Sequence, residues 1–295
     1  MPGVSIIIIN YNTFALTSNC IRSVIQHTKG LDYEIILVDN ASTEADPAGF
    51  LDEFPGIKLV KSPVNGGFAV GNNLGIREAA GEFILLLNSD TLLLENSVQP
   101  SYNYIKERPE TGALGCRMIF PDDKMQYTAR RFRSISWELL DLFRFIPFMM
   151  SYKTRSAKML GKYFRHDESR SCDWINGAFF LFPRKIIQEL PGQKLDERFF
   201  MYGEDQLWCE QMKQLGQEIH FFAGTTIVHI NSGSTDQKKQ LRLRKTMMRH
   251  ELEIMRNRKG KGLYYYLFKM IYVSKESVRN FFKSIFLLFT GKHMR

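Results

Sequence analysis

Short apolar runs alternate with segments of helical periodicity over the first 120 residues. The predicted strands are Val4–Ile9, Glu34–Val38, Ile57–Val60, Phe83–Leu87 and Ala113–Ile119. The predicted helices between them are Phe14–Thr28, a short one near Pro47–Phe54, Gly67–Ala80 and Ser97–Arg108. Continuous apolar strands separated by helices are typical of a sheet that is covered on both faces. The pattern therefore predicts an α/β fold with a mostly parallel central sheet.

The pattern is less regular between Gln126 and Arg170. The strongly apolar stretch Trp137–Met150, interrupted by Pro147, is predicted either to pack on the core or to form part of a surface that faces a membrane or an acceptor. Regular structure is predicted to resume with Cys172–Phe182, Ile186–Leu190, a helix at Asp205–Leu215 and a strand at Ile219–Phe222.

Composition narrows the class of protein. A hydrophobic fraction of 44% and a charged fraction of 24% exclude a disordered chain and a membrane bundle. The four cysteines are far apart, so neither a disulfide framework nor a zinc site is expected. The N-terminus carries no basic leader, and no apolar run reaches the roughly 18 residues that a membrane span needs. These features favour a reducing cytoplasmic location.

The positive charge is concentrated at one end of the chain. Residues 236–295 contain sixteen Lys/Arg and four Asp/Glu, a net +12, which leaves about −3 of the total +9 for residues 1–235. The tail also contains two apolar stretches, Leu263–Val273 and Phe281–Phe289, interrupted by Lys269 and Lys283. This composition predicts helices that lie on an anionic membrane surface. The alternatives are helices packed on the body of the protein or on a partner subunit.

We accordingly divide the chain into a domain at 1–235 and a basic amphipathic helical extension at 236–295. The extension contains no recognisable nucleic-acid-binding module, so a nucleic-acid partner is not expected.

Polar side chains follow three predicted strands, where parallel sheets bind ligands. These side chains are Asn10, Asp39 and the Asn88-Ser89-Asp90 triplet. A glycine-rich turn, Asn65-Gly66-Gly67, leads into a helix that contains Asn72. Glycines allow a ligand to approach the backbone closely, and a helix N-terminus favours anions.

Six segments in this order resemble the inverting GT-A glycosyltransferases of family 2, which include bacterial rhamnosyltransferases. They are Val4–Asn12, Leu37–Ser42, Asn65–Asn73, Leu85–Thr91, Asp173–Ala178 and Phe199–Asp205. The resemblance covers roughly residues 4 to 235. It implies a GT-A fold, here followed by a C-terminal helical extension.

The resemblance also implies a role for each polar residue in binding the donor. Asp39 would accept the imide N–H of a uracil or thymine ring, although a loop-capping aspartate is the alternative. The remaining donor-binding residues implied in this way are Asn10, Asn65, Gly66, Gly67, Asn72, Asn88 and Asp90. Asp173 and Trp174 would lie near the transferred sugar, and a plain core position is the alternative for Trp174.

The same resemblance implies a divalent cation, Mg²⁺ or Mn²⁺, held by Asp90 and His229 against the donor diphosphate. Asp205 would take the proton of the acceptor hydroxyl, and Glu204 would bind the acceptor or orient Asp205. Favourable charge at a helix N-terminus is the alternative for this pair. Many relatives carry Asp where this chain has Leu207 and Arg where it has Gln211, which leaves the sugar or acceptor preference open.

The function expected from these features is transfer of a sugar from a nucleotide diphospho-sugar to a saccharide or lipid-linked saccharide at the inner face of a bacterial membrane. The resemblance puts dTDP-L-rhamnose first among donors and UDP-linked hexoses second. The alternative function is a catalytically inactive, nucleotide-sugar-binding scaffold in a polysaccharide assembly complex.

Overall fold

The computed structural model describes residues 2–230 and 237–290. These residues form two compact units, and each unit consists of two separate stretches of the chain. The first contains residues 2–131 and 160–230, and the second contains residues 132–159 and 237–290. The boundary predicted between 235 and 236 lies outside the described residues and stays a prediction.

The first unit is built on one mixed sheet. Its strands are β1 (Val4–Asn10), β2 (Tyr33–Asp39), β3 (Lys58–Lys61), β4 (Phe83–Asn88), β5 (Thr91–Leu93), β6 (Thr111–Ile119), β7 (Met125–Gln126), β8 (Arg170–Cys172), β9 (Phe179–Pro183) and β10 (Glu218–His229). The helices of this unit are α1 (Phe14–His27), α2 (Gly49–Glu53), α3 (Gly67–Glu78), α4 (Val98–Lys106), α8 (Ile186–Glu189) and α9 (Glu204–Gln214).

The strands follow the order β3-β2-β1-β4-β9-β6-β10-β5, with β7 paired to β6 and β8 to β10. The pairs β1–β2, β1–β4, β2–β3 and β6–β10 are parallel, which confirms the α/β fold with a largely parallel central sheet expected of GT-A. Strand β9 lies antiparallel between β4 and β6. Ile6, Ile8, Leu37, Leu85 and Leu181 are buried in the core of this sheet.

Two predicted elements differ from those observed. The stretch Cys172–Phe182 is two strands, because β8 ends at Cys172 and β9 begins at Phe179, with a turn between them. The strand predicted at Ile219–Phe222 continues to His229 as β10, past an irregularity in its pairing between Phe222 and Thr226. The longer strand brings His229 into register with Thr91 of β5.

The second unit is helical. It comprises α5 (Ile135–Leu142), α6 (Phe145–Met149), α7 (Tyr152–Met159), α10 (Gln237–Lys259) and α11 (Leu263–Thr290). Met255, Phe268 and Tyr272 form its small apolar core, and Ile135 packs against them. Helix α11 is continuous across the two apolar stretches predicted for the tail. Lys275 lies between those stretches, is buried, and pairs with Glu138 and Asp141 of α5.

Within the residues that the structure describes, none of the helices combines the length and the apolar character needed to cross a membrane.

Candidate functional site

The first corner of the site lies where β1 and β2 end side by side. The Asn10 amide donates to Asp39 Oδ1 over 2.8 Å and to Ser42 Oγ over 2.9 Å, and the Ser42 N–H donates to Asp39 Oδ2 over 3.1 Å. Asn10 and Asp39 are both buried. The Asp39 carboxylate is thereby fixed in place, and each oxygen retains an acceptor position for an incoming N–H.

Asn40, the residue after β2, makes hydrogen bonds to all three residues of the glycine-rich turn. Its amide donates to Asn65 Oδ1 over 2.9 Å and to the Gly67 carbonyl over 3.2 Å, and its own Oδ1 accepts from the Gly66 N–H over 3.2 Å. Asn65 Oδ1 also accepts from the Gly67 N–H at 2.9 Å. Three predicted donor-binding residues, Asn65, Gly66 and Gly67, therefore form one bonded turn. Asn40 itself was missed, although it stands within the Leu37–Ser42 motif.

The glycine-rich turn contacts the loop that precedes α9. The Phe68 N–H donates to the Phe200 carbonyl over 3.0 Å. Gly67 has a φ of +85°, and a Cβ at this position would lie 2.3 Å from the same carbonyl oxygen. Only glycine allows both the backbone angle and the approach.

The predicted donor-binding residue Asn72 lies buried in α3. Its amide donates to the Phe68 carbonyl of the same helix over 3.0 Å. The neighbouring Asn73 donates to the Leu195 carbonyl over 2.8 Å and accepts from the Leu195 N–H over 3.0 Å, which ties α3 to the segment before α9. Contact of Asn72 with a donor stays a prediction.

Asn88, Asp90 and His229 come together at the ends of β4 and β10. His229 Nε2 lies 3.3 Å from Asp90 Oδ1 and 3.5 Å from Asn88 Nδ2. On the other side of the ring, His229 Nδ1 lies 2.8 Å from Gln126 Oε1, and the Gln126 amide donates to the His229 carbonyl. An amide oxygen accepts, so Nδ1 carries the proton. In the neutral ring, Nε2 therefore presents its lone pair on the side of Asp90.

A bonded path links this cluster to the first corner. Thr13 Oγ1 donates to Asn10 Oδ1 over 3.2 Å and lies 3.3 Å from Ser89 Oγ. Ser89 stands between Asn88 and Asp90, so the loop after β4 is tied to the ends of β1 and β2. The described residues contain no group of three or more His, Cys, Asp or Glu side chains arranged around one metal position.

Glu204 and Asp205 open α9 after a sharp turn, in which Tyr202 and Gly203 have φ values of +70° and +96°. Asp205 Oδ2 accepts from the Gly177 N–H over 3.0 Å, and Oδ1 accepts from the Gln206 N–H over 2.8 Å. Burial raises the pKa of Asp205 above that of an ordinary aspartate.

Glu204 is buried next to Asp205 at the start of α9. Burial, and then the charge of Asp205, raise the pKa of Glu204 to about 8. Near neutral pH Glu204 therefore holds a proton. The two backbone N–H groups that bond Asp205 favour its charged form, which makes Asp205 the better candidate for the base.

The turn between β8 and β9 joins Asp205 to the Asn88 cluster. Its Gly177 bonds Asp205, and the carbonyl of the next residue, Ala178, accepts from the Asn88 N–H over 3.1 Å. The same turn holds Asp173, whose carboxylate lies 3.2 Å from Arg131 and 3.7 Å from Lys213.

Trp174 follows Asp173 in that turn and is partly exposed. Its indole N–H donates to the Arg131 carbonyl over 3.2 Å, and the Arg130 guanidinium lies 5.1 Å from its ring centroid. Contact of Asp173 and Trp174 with a sugar stays a prediction.

Comparison with known proteins identifies the family. Residues 5–190 match glycosyl transferase family 2. The chain is 26% identical over 240 residues to the O-antigen biosynthesis protein RfbC of Myxococcus xanthus, a match that covers 79% of this chain but only 18% of that protein. It is 23% identical over 217 residues to the N-acetylglucosaminyl-diphospho-decaprenol L-rhamnosyltransferase of Mycobacterium tuberculosis, which covers 68% of this chain and 67% of the relative.

A shorter match of 119 residues, at 31% identity, relates it to the poly(ribitol-phosphate) beta-N-acetylglucosaminyltransferase TarP of Staphylococcus aureus; it covers 39% of this chain and 36% of that protein. Because the family match spans well over half of the 295 residues, the chain belongs to glycosyl transferase family 2.

Proposed function

We propose that the chain transfers a sugar from a nucleotide diphospho-sugar to a saccharide or lipid-linked saccharide acceptor during synthesis of a bacterial surface polysaccharide. The transfer is a single displacement with inversion at the anomeric carbon. dTDP-L-rhamnose is the first donor to test and UDP-linked hexoses are the second. The names of the Myxococcus, Mycobacterium and Staphylococcus relatives support this class of reaction.

One observation carries the proposal. A continuous set of hydrogen bonds runs from Asp39, through Asn10 and Thr13, to the loop that contains Asp90. From Asn88, at the end of β4 just before that loop, the turn at residues 177 and 178 continues the hydrogen-bonded frame to Asp205. One hydrogen-bonded frame therefore holds the three acids of the proposal: Asp39 for the nucleobase, Asp90 for the diphosphate and Asp205 as the base. Transfer between a bound donor and acceptor requires such fixed positions.

In this proposal Asp205 removes the proton from the acceptor hydroxyl as that oxygen attacks the anomeric carbon. The Gly177 and Gln206 amides hold both carboxylate oxygens, so the base is oriented before the acceptor arrives. Protonated Glu204 beside it supplies a hydrogen-bond donor for an acceptor oxygen. The two neighbouring carboxyls thus differ in protonation and divide the roles of base and donor.

The residues near Asp90 suit a divalent cation. Asp90 and the Nε2 of His229 are 3.3 Å apart, Gln126 orients the ring, and the buried Asn88 Oδ1 has no hydrogen-bond partner among the described residues. We propose that Asp90 and His229 hold Mg²⁺ or Mn²⁺, with phosphate oxygens completing the ligand set. The cation would offset charge on the leaving diphosphate.

The membrane is the remaining proposed partner. The +12 net charge of residues 236–295 supports attachment of the second unit to the anionic inner face of the cell membrane. The enzyme would then meet lipid-linked acceptors as a peripheral protein.

The decisive experiment compares the wild type with Asp205→Asn. We expect transfer to fall by a factor of about 10² to 10⁴, because asparagine cannot accept the proton. Donor affinity, measured by calorimetry, should remain close to that of the wild type. An asparagine oxygen can serve only one of the two amides that bond Asp205, so the variant should also lose about 1–3 kcal/mol of stability. Thermal melting must therefore show that it is folded at the assay temperature.

Three results would contradict parts of this proposal. Near-normal transfer by Asp205→Asn removes Asp205 from the role of base. Unchanged donor binding and transfer in EDTA remove the metal. Tight donor binding by the wild type, with neither transfer nor slow donor hydrolysis for any dTDP- or UDP-sugar, replaces the enzyme with a nucleotide-sugar-binding scaffold.

A further inference from the structure

The short helix α6 of the second unit exposes large apolar side chains. Phe145 is 64% exposed, Phe148 is 66% exposed and Met149 is 82% exposed. Phe143, just before the helix, is also exposed and meets Phe145 edge to face, while Pro147 is buried. Single exposed apolar residues are normal on a protein surface, but three large ones on one short helix form a contiguous patch. We call residues 143–149 the α6 surface.

The sequence of the α6 surface and of α7 after it carries charge of one sign. Residues 143–159 contain four basic residues and no acidic one. Arg144, Lys153 and Lys158 are exposed, and the Arg155 guanidinium lies 5.1 Å from the Phe148 ring centroid. The surface therefore combines exposed aromatic rings with exposed basic side chains.

Glu138 and Asp141 of α5 are the nearest acids in the sequence, and both are buried. Asp141 Oδ1 lies 3.9 Å from Arg144 Nε and so compensates part of the charge of Arg144. Both acids pair with Lys275 of α11, and Glu138 also pairs with Arg133 over 2.7 Å.

Helix α11 of the same unit has a similar composition. Leu263 is 76% exposed and Met270 is 59% exposed. The only acid in residues 260–281 is Glu276, which is buried and pairs with Arg279. Two separate parts of the second unit thus present apolar side chains among basic ones.

We propose that the α6 surface inserts its phenylalanine and methionine side chains into the interfacial region of an anionic lipid bilayer, with Lys153 and Lys158 contacting lipid phosphates. Exposed aromatic side chains next to exposed basic ones are complementary to such a membrane. The helix has five residues, so it lies in the interface and does not span the bilayer. This deepens the membrane contact proposed above for the C-terminal residues and is independent of the sugar-transfer chemistry.

The test uses the full chain and vesicles of mixed phosphatidylglycerol and phosphatidylcholine. Phe145→Ser with Phe148→Ser should reduce the partition coefficient about tenfold or more, since two exposed rings no longer enter the interface. The matched control is Leu51→Ser with Leu94→Ser, which replaces exposed apolar side chains of the first unit and should bind as the wild type. Lys153→Gln with Lys158→Gln should weaken binding about fivefold for each charge removed. That loss should shrink at high salt and be absent with pure phosphatidylcholine.

A second measurement reports insertion directly. In Phe148→Trp, fluorescence from the introduced indole, after subtraction of the wild-type signal, should shift to the blue with vesicles and be quenched by brominated lipid chains. Far-UV circular dichroism and melting check that each variant is folded. A parallel transfer assay with a water-soluble acceptor should leave the α6 variants fully active, which separates this proposal from the proposed function.

Three outcomes would overturn the proposal. The first is wild-type vesicle binding by a folded phenylalanine double variant. The second is absence of quenching at position 148 while the protein is bound. The third is a concentration-dependent dimer, seen by sedimentation velocity without vesicles, that the same double variant abolishes; a second copy of the chain would then cover the surface.

Discussion

At the scale of single residues, the adjacent carboxyls Glu204 and Asp205 make stability depend on pH. Glu204 has an ordinary pKa of 4.5 and a folded-state pKa of about 8. Between these values the folded chain keeps a proton that the unfolded chain has lost. Stability present below pH 4.5 is therefore lost progressively as the pH rises to about 8.

Glu204→Gln removes this titration. The melting temperature of the variant relative to wild type should increase from pH 4.5 to about 8 and then level off. The gain in unfolding free energy should be on the order of a few kcal/mol. Glu189→Gln is the control, because Glu189 is exposed on α8 and its replacement should not produce this pH dependence. A difference between Glu204→Gln and wild type that stays constant across this pH range would contradict the assignment.

Not every residue of the candidate site carries a signal in the sequence. Asp39 can be predicted because it ends a recognisable apolar strand, and Asp205 because it follows an aromatic turn. Gln126, by contrast, stands 103 positions from His229, the residue whose Nδ1 it bonds, and nothing near it in the sequence indicates that contact. The contact depends on the parallel pairing of β10 with β6, which joins segments far apart in the sequence and which local pattern does not encode.

At the scale of elements, the parallel strands could be predicted because each is a continuous apolar run with a helix after it. The antiparallel strand β9 lies within a stretch predicted to be regular, but the sequence pattern does not indicate its place between β4 and β6. Strand β10 was predicted too short, since Ala223, Gly224 and Thr225 interrupt its apolar pattern where its pairing with β6 is irregular. Apolar periodicity thus predicts strands well until a bulge changes which side chains are buried.

The contact of Gly67 with Phe200 joins the start of α3 to the loop that precedes α9. Gly67→Ala should displace the Phe200 carbonyl and the loop that leads to Glu204 and Asp205, because the new Cβ would lie 2.3 Å from that oxygen. We expect transfer to fall at least about tenfold and the unfolding free energy to fall by about 2–4 kcal/mol.

The matched control is Gly216→Ala. Gly216 has a φ of +81°, close to the +85° of Gly67, but its added Cβ would have no neighbour within 4 Å. It should lose only the roughly 1–2 kcal/mol of the left-handed backbone and keep its transfer rate. Equal losses of stability and activity in the two variants would show that backbone strain, and not the contact with Phe200, explains the effect.

At the scale of the whole molecule, the second unit is assembled from two separated parts of the chain. The sequence pattern predicts residues 236–295 as an extension, and it predicts Trp137–Met150 either to pack on the core or to face a membrane or an acceptor. In the structure, α5 packs with α10 and α11, and α6 next to it is exposed. Periodicity marks amphipathic helices but does not say which distant helix covers them. Removing the C-terminal helices would leave Glu138 and Asp141 without Lys275, so truncation is a poor test of membrane binding.

The buried ion cluster of the second unit gives the last prediction. Lys275 is 8% exposed and pairs with Glu138 and with Asp141, the latter over 2.8 Å. Lys275→Met retains an unbranched apolar stem but leaves two buried carboxylates with less compensation. Loss of one partner from such a cluster typically costs about 3–5 kcal/mol. Calorimetry should therefore show a lower melting temperature for the transition that includes α11.

Lys269→Met is the control, because Lys269 is exposed on the same helix and its replacement should change stability by no more than about 0.5 kcal/mol. Lys275→Met with Glu138→Gln should recover part of the loss, since it removes one of the uncompensated charges. If Lys275→Met melts like the wild type, the cluster contributes nothing to stability. Helix α11 would then be held by its other contacts, among them the apolar packing of Phe268 and Tyr272.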